Sequence, residues 1–176
     1  MFSIYRPLIM VAILVLVINN AFADCRNDIL PDTPTEDFKI YDNGTVIHTK
    51  TGLMWARCPL GQTWNGTTCI GKPGLYSWSN ALSNVKRVNY GGYADWRLPN
   101  VNELESIVER RCYEPAVNSY AFPSIGTGSA YYWSSTPSGA KGGQSRGYAV
   151  DLDFDGRVLG IFEFSTGLSV LFVREE

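Results

Sequence analysis

Three aspartates at alternate positions followed by glycine, Asp151, Asp153, Asp155 and Gly156, are the first residues whose types and spacing suggest chemistry. Asp-x-Asp-x-Asp-Gly opens the EF-hand loop, in which alternate carboxylates converge on a calcium ion. The loop's twelfth position is a bidentate acid, and here it is Phe162. Val150, Leu152 and Phe154 interleave with the acids, which is the pattern of a half-buried strand with apolar residues in and polar residues out. A solvated strand face is the leading reading, and a calcium site at Asp151, Asp153 and Asp155 competes with it. No other cofactor is expected.

Glu103, Glu105, Glu109 and Glu114 could supply a carboxylate pair for glycoside hydrolysis. Their helical spacing reads instead as a solvated face, so no catalytic residue is assigned. Aromatic rings beside amides suit saccharides, because a flat apolar face meets polar edges. Trp64 with Asn65, and Tyr131 with Tyr132, are therefore the candidate ligand-binding residues. Trp55, Trp78, Trp96 and Trp133 are expected in the core. Asn43 and Asn65 each open an Asn-Gly-Thr triplet, read here as turn chemistry. The four cysteines show no Cys-x-x-Cys and His48 is the sole histidine, so the spacing of a zinc site is missing.

The chain has 176 residues, 45% hydrophobic and 18% charged, with a formal charge of −2. That composition is one ordinary globular domain without the basic footprint of a nucleic-acid or anionic-membrane partner. Residues 1–23 carry Arg6, an apolar run from Leu8 to Ile18, and Ala21-Phe22-Ala23, a small-x-small cleavage site. They read as a signal peptide, since the run is shorter than the roughly 20 residues that span a bilayer. No transmembrane segment is expected after cleavage, and the mature protein is read as secreted or periplasmic. Lipid attachment at Cys25 is disfavoured by Asp24 before it.

Export places Cys25, Cys58, Cys69 and Cys112 in an oxidising compartment, where two disulfides are the default. Of three pairings, Cys58–Cys69 closes a turn-rich loop at a gain of roughly 3 kcal/mol. Cys25–Cys112 then staples the N-terminal arm. This organisation gives a signal peptide at 1–23, a Pro-rich arm at 24–37 and a domain at 38–176.

The elements that must position these residues begin with a hairpin turning at Asn43-Gly44 and a strand over 53–56 after the Thr51-Gly52 turn. Trp78, Ala81, Leu82, Val85 and Val88 mark a helix over 77–88. Asn100 with Glu103 opens a second helix, with Val101, Leu104, Ile107 and Val108 on one stripe. Strands are expected over 130–134, 147–155, 157–164 and 168–174, the last three as a meander. The Gly/Ser-rich segment 136–146 reads as a flexible surface loop. The sum is an α+β fold.

Gly91-Gly92-Tyr93-Ala94-Asp95-Trp96-Arg97-Leu98-Pro99-Asn100-Val101-Asn102-Glu103-Leu104 resembles the signature of the Legionella collagen-like adhesin C-terminal domain family. Thr51-Gly52-Leu53-Met54-Trp55 before it, Trp78 and Ala81-Leu82, then Tyr132-Trp133-Ser134-Ser135 and Phe172-Val173-Arg174, follow in matching order. The resemblance implies a C-type-lectin-like fold, two helices flanking a twisted antiparallel sheet with long loops. It implies a binding or adhesion module rather than an enzyme, with an extracellular or periplasmic ligand such as a glycan. Two alternatives stand beside it. One is an oxidase of the related formylglycine-generating class, which uses cysteine-bound copper; the other is an assembly module that forms a homo-oligomer. The relative's association with sulfated polysaccharides does not carry over to an acidic chain with few clustered cations. In the signature itself, Pro99 hands the chain to the Asn100 cap, and Arg97 is placed to hold a carboxylate in its fork.

Overall fold

Gly44 makes the first turn at φ +83°, and a Cβ there would stand 2.5 Å from the Trp64 ring, so both conformation and space require glycine. The computed structural model that shows this describes residues 23–141, 144–154 and 158–176. The expected signal segment, apart from Ala23, lies outside those residues, as do Asp155 and the Asp155-Gly156 turn. No helix among the described residues is long and apolar enough to cross a membrane.

The chain starts with β1 (Asp24–Cys25), a short 3-10 turn (Thr35–Asp37), β2 (Phe38–Ile40), β3 (Thr45–His48) and β4 (Leu53–Ala56). A small ribbon of β5 (Thr63–Trp64) and β6 (Cys69–Ile70) follows, then α1 (Trp78–Val85), α2 (Val101–Glu105) and β7 (Cys112–Tyr113). The last third is β8 (Tyr131–Lys141), β9 (Gln144–Asp151), β10 (Val158–Glu163) and β11 (Val173–Glu175). The strands form a four-stranded sheet ordered β11-β4-β3-β2, a three-stranded sheet β10-β9-β8, and the pairs β1-β7 and β5-β6. The result is a sheet-rich α+β fold with both expected disulfides, Cys25–Cys112 and Cys58–Cys69.

Every residue of β3 and β4 is buried, because the sheet is covered on both faces. Strand alternation then divides the side chains between two cores. Val46, Trp55, Tyr132, Val150, Leu171 and Val173 join one, with Leu104, Ile107 and Phe122. Ile47, Met54, Trp133, Ala149, Val170 and Phe172 join the other, with Ala81, Val85 and Trp96. Trp55, Trp96 and Trp133 are buried as expected, while Trp78 is half-buried and lies flat on Phe164 at 4.0 Å.

Two strand expectations need correction. The segment 136–146 is no loop: most of it is the β8–β9 ribbon, with register shifts on either side of Pro137. Backbone pairing does not depend on bulky side chains, and Pro137, which lacks an N–H, sits at a bulge. The meander is β8-β9-β10, and the final strand leaves it to pair with β4, Val173 opposite Trp55. The first helix stops at Val85, short of Val88.

Candidate functional site

The signature segment builds a closed corner. Asn100 accepts from the Glu103 amide at 2.9 Å while Glu103 accepts from the Asn100 amide at 2.7 Å, a complete capping box. Arg97 donates to both Glu103 oxygens at 2.8 Å, the bidentate fork that the guanidinium plane favours. Burial opposes ionisation of Glu103, and Arg97 with the Asn100 amide outweighs it, so the carboxyl titrates below its ordinary value. Asp95 is held similarly by Arg174 at 2.7 and 3.1 Å. These acids serve the fold.

The candidate ligand residues fall apart in space. Trp64 is half-buried, its N–H donates to Asp42 O at 2.8 Å, and the Arg57 guanidinium lies 4.3 Å from its ring centre. Asn65 is exposed and its Oδ1 accepts from the Thr67 and Thr68 amides at 2.9 Å, closing the β5–β6 turn. Asn43 has the matching turn role, accepting from Thr45 and donating to Gly91 O at 2.7 Å. Tyr131 is half-buried with its edge against Phe162. Tyr132 is fully buried, and burial pushes its phenol well above the ordinary tyrosine value. Consecutive strand residues face opposite ways, so Tyr131 and Tyr132 cannot share one stacking surface. Tyr132 therefore offers no face to a ligand, contrary to expectation.

The aspartates also depart from the alternating strand. β9 ends at Asp151, which is buried, and its Oδ1 accepts from the Asp153 and Phe154 amides, both at 3.0 Å. A carboxylate capping the strand end replaces the outward acid, and Phe154 beyond it is exposed. Burial first, then Asp151 and Glu114, raise the titration of the half-buried Asp153. The third member, Asp155, lies outside the described residues. Among the described residues no group of three or more histidines, cysteines, aspartates or glutamates is gathered to hold a metal ion. All four cysteines are in disulfides, so the thiolates that would bind copper are absent and the cysteine-copper site does not fit this chain.

Two buried charges escaped the sequence reading. Arg57, only 7% exposed, donates to Ala121 O at 3.0 Å and Tyr120 O at 2.8 Å, pinning the 118–121 turn beneath the Trp64 ring. Glu109, 3% exposed, accepts from the Thr33 amide at 2.9 Å and the Asp32 amide at 3.2 Å, strapping the arm to the body. Neither shows in periodicity; the only hint is an arginine directly after an apolar strand.

A family model for the Lcl C-terminal domain matches residues 44–174, the span that contains the capped corner, most of both cores and the β8–β9–β10 sheet. The chain belongs to the Lcl C-terminal domain family. No curated protein and no solved structure matches it. The Lcl C-terminal domain match leaves β2 and the arm at 24–37, with Cys25 and the Glu109-bound Asp32 and Thr33, outside its bounds.

Proposed function

We propose that this protein is an exported adhesion module of C-type-lectin-like fold that recognises a saccharide on an extracellular or periplasmic surface. The family match over residues 44–174 carries the reading. Two stapled disulfides suit an oxidising compartment, secreted or periplasmic. The way the acids are used supports binding rather than catalysis. Glu103, Glu109, Asp95 and Asp151 each accept hydrogen bonds that hold the fold, whereas a general acid or base needs a free partner site facing substrate. Exposed rings at Tyr113, Tyr120 and Phe154 supply the flat faces that sugars stack on.

Labelled protein on a glycan array tests this. The expected result is saturable binding to one saccharide class, lost when the protein is unfolded by reduction and denaturant. Absence of binding across the array would refute it. Protein that instead self-associates, with Tyr113 and Tyr120 protected, would transfer support to the homo-oligomeric assembly module.

A further inference from the structure

The chain carries the triplet Asn-Gly-Thr twice, at Asn43-Gly44-Thr45 and at Asn65-Gly66-Thr67. In each turn the asparagine Oδ1 accepts from a backbone amide further on. An asparagine followed by glycine can lose its side-chain amide without an enzyme. The glycine nitrogen gives its proton to water and bonds to the asparagine Cγ, and Nδ2 leaves as ammonia. Water then opens the five-membered imide ring to an aspartyl or an isoaspartyl residue, so one water is taken up and one ammonia released. Because the triplets are identical, a difference in their reactivity comes from the fold.

At the first site the reacting groups are tied down. The Gly44 N–H donates to Tyr41 O at 3.3 Å, and Asn43 Nδ2, the atom that must leave, donates to Gly91 O at 2.7 Å. Gly44 is buried against the Trp64 ring, and its carbonyl accepts from the Arg57 amide and the Tyr90 hydroxyl, both at 3.0 Å. The Asn43–Gly44 peptide therefore has no room to turn toward Cγ.

At the second site the same groups are open. Asn65 and Gly66 are exposed at the end of the β5–β6 ribbon, Gly66 takes φ +100°, and no atom lies within 4 Å of where its Cβ would stand. Among the described residues neither the Gly66 N–H nor Asn65 Nδ2 has a hydrogen-bond partner, so both face water. Asn65 Oδ1, where negative charge collects as the glycine nitrogen attacks, accepts from the Thr67 and Thr68 amides, both at 2.9 Å. Fixed donors at an atom that gains charge favour the attack.

We propose that Asn65 is a site of spontaneous deamidation and that the fold protects Asn43 from the same reaction. Either product places a carboxylate on the ribbon that carries Trp64, and the isoaspartyl form also lengthens the main chain within the turn. Cys58–Cys69 tethers the ribbon whichever product forms, so its charge and shape change while it stays attached. The inference stands apart from the saccharide reading, since it needs no ligand.

The test is ageing of the purified protein in mildly alkaline buffer, with peptide mapping by mass spectrometry to follow conversion at both asparagines. In folded protein Asn65 should convert at least about tenfold faster than Asn43, the factor supplied by one hydrogen bond fewer at the reacting nitrogen. After reduction and denaturation the two should convert within about threefold of each other, because only the shared triplet then acts. Asn65→Gln should remove the acidic species that isoelectric focusing resolves in the aged protein. Equal rates at the two asparagines in folded protein, faster conversion at Asn43, or no conversion at Asn65 until the protein is denatured would each overturn the proposal.

Discussion

Replacing Glu109 by Gln keeps the size of the side chain and removes its charge, which isolates the contact that straps the arm to the body. Oε2 accepts from the Thr33 amide at 2.9 Å and the Thr33 hydroxyl at 3.3 Å, and Oε1 accepts from the Asp32 amide at 3.2 Å. A carboxamide offers one oxygen and one NH₂, so one backbone donor must then face another donor. Losing a charge-assisted bond costs roughly 1.5–3 kcal/mol, and the orphaned buried donor adds to it. The arm relaxes partly toward water, so we expect a net cost of about 2–3 kcal/mol. Because Cys25–Cys112 keeps the arm tethered, the loss is local. Amide hydrogen exchange at Thr33 should accelerate roughly 30- to 150-fold, since about 1.4 kcal/mol is tenfold. The Trp133 amide, bonded to Ser169 O inside the body, should keep its protection. Thr33 exchange within about threefold of wild type would refute the assignment of Glu109 as the strap, because a lost charge-assisted bond alone exceeds that.

Arg57→Ala removes two bonds to backbone carbonyls and the guanidinium under Trp64, and should cost about 2–3 kcal/mol, with Trp64 emission moving to the red as the β5–β6 ribbon loosens. Trp133→Ala empties a fully buried site and frees Tyr76 O from its indole donor, so a urea midpoint should report a loss of about 3–5 kcal/mol. His48 is buried against Phe38 with its Nε2 unpartnered, and burial holds its titration below the ordinary 6.5. The unfolded chain therefore binds the proton first, so stability is full above pH 6.5 and falls as pH drops from there toward the folded value. His48→Gln should flatten that decline in melts between about pH 6.5 and 5.5, above the range where ordinary carboxylates titrate.

Local chemistry made part of this fold legible. Asn43-Gly44 can be read as a turn because glycine alone accepts φ +83° there, and Asn100 with Glu103 can be read as a cap because the two side chains satisfy each other's amides. Cys58–Cys69 follows from a short loop, and the two remaining cysteines from elimination. The partner of the last strand was not legible, since pairing β11 with β4 joins Val173 to Trp55, 118 residues apart in the chain. Segment 136–146 misled because Gly and Ser signal loops by composition, while a ribbon needs only backbone donors and acceptors. The outward face expected of Asp151 failed for a similar reason: the strand ends there, and a carboxylate at a strand end turns back to bind the next amides. Glu109 was read as part of a solvated helix face because the arm that buries it lies far away in sequence.

The division of labour between body and arm bears on how such a module gains a ligand. Inside the matched span, the closed corner satisfies its own polar groups, Arg97 against Glu103 and Glu103 against the Asn100 amide. A polar group already satisfied by the fold has little to offer a ligand, because forming a new bond means breaking an old one. Buried polar atoms without a hydrogen-bond partner are spread over the molecule, His48 Nε2, Trp55 Nε1 and Tyr132 OH in the body and Ser119 Oγ beside the arm. That arm is held by one disulfide, by the β1–β7 pairing and by a few bonds to Glu109 and Asn118 rather than by core packing. Its sequence can change without emptying either core, so the arm can vary while the body stays folded. The same logic separates two experiments: Glu109→Gln should loosen the arm locally and leave the Trp133 amide protected, whereas Trp133→Ala should lower the stability of the body.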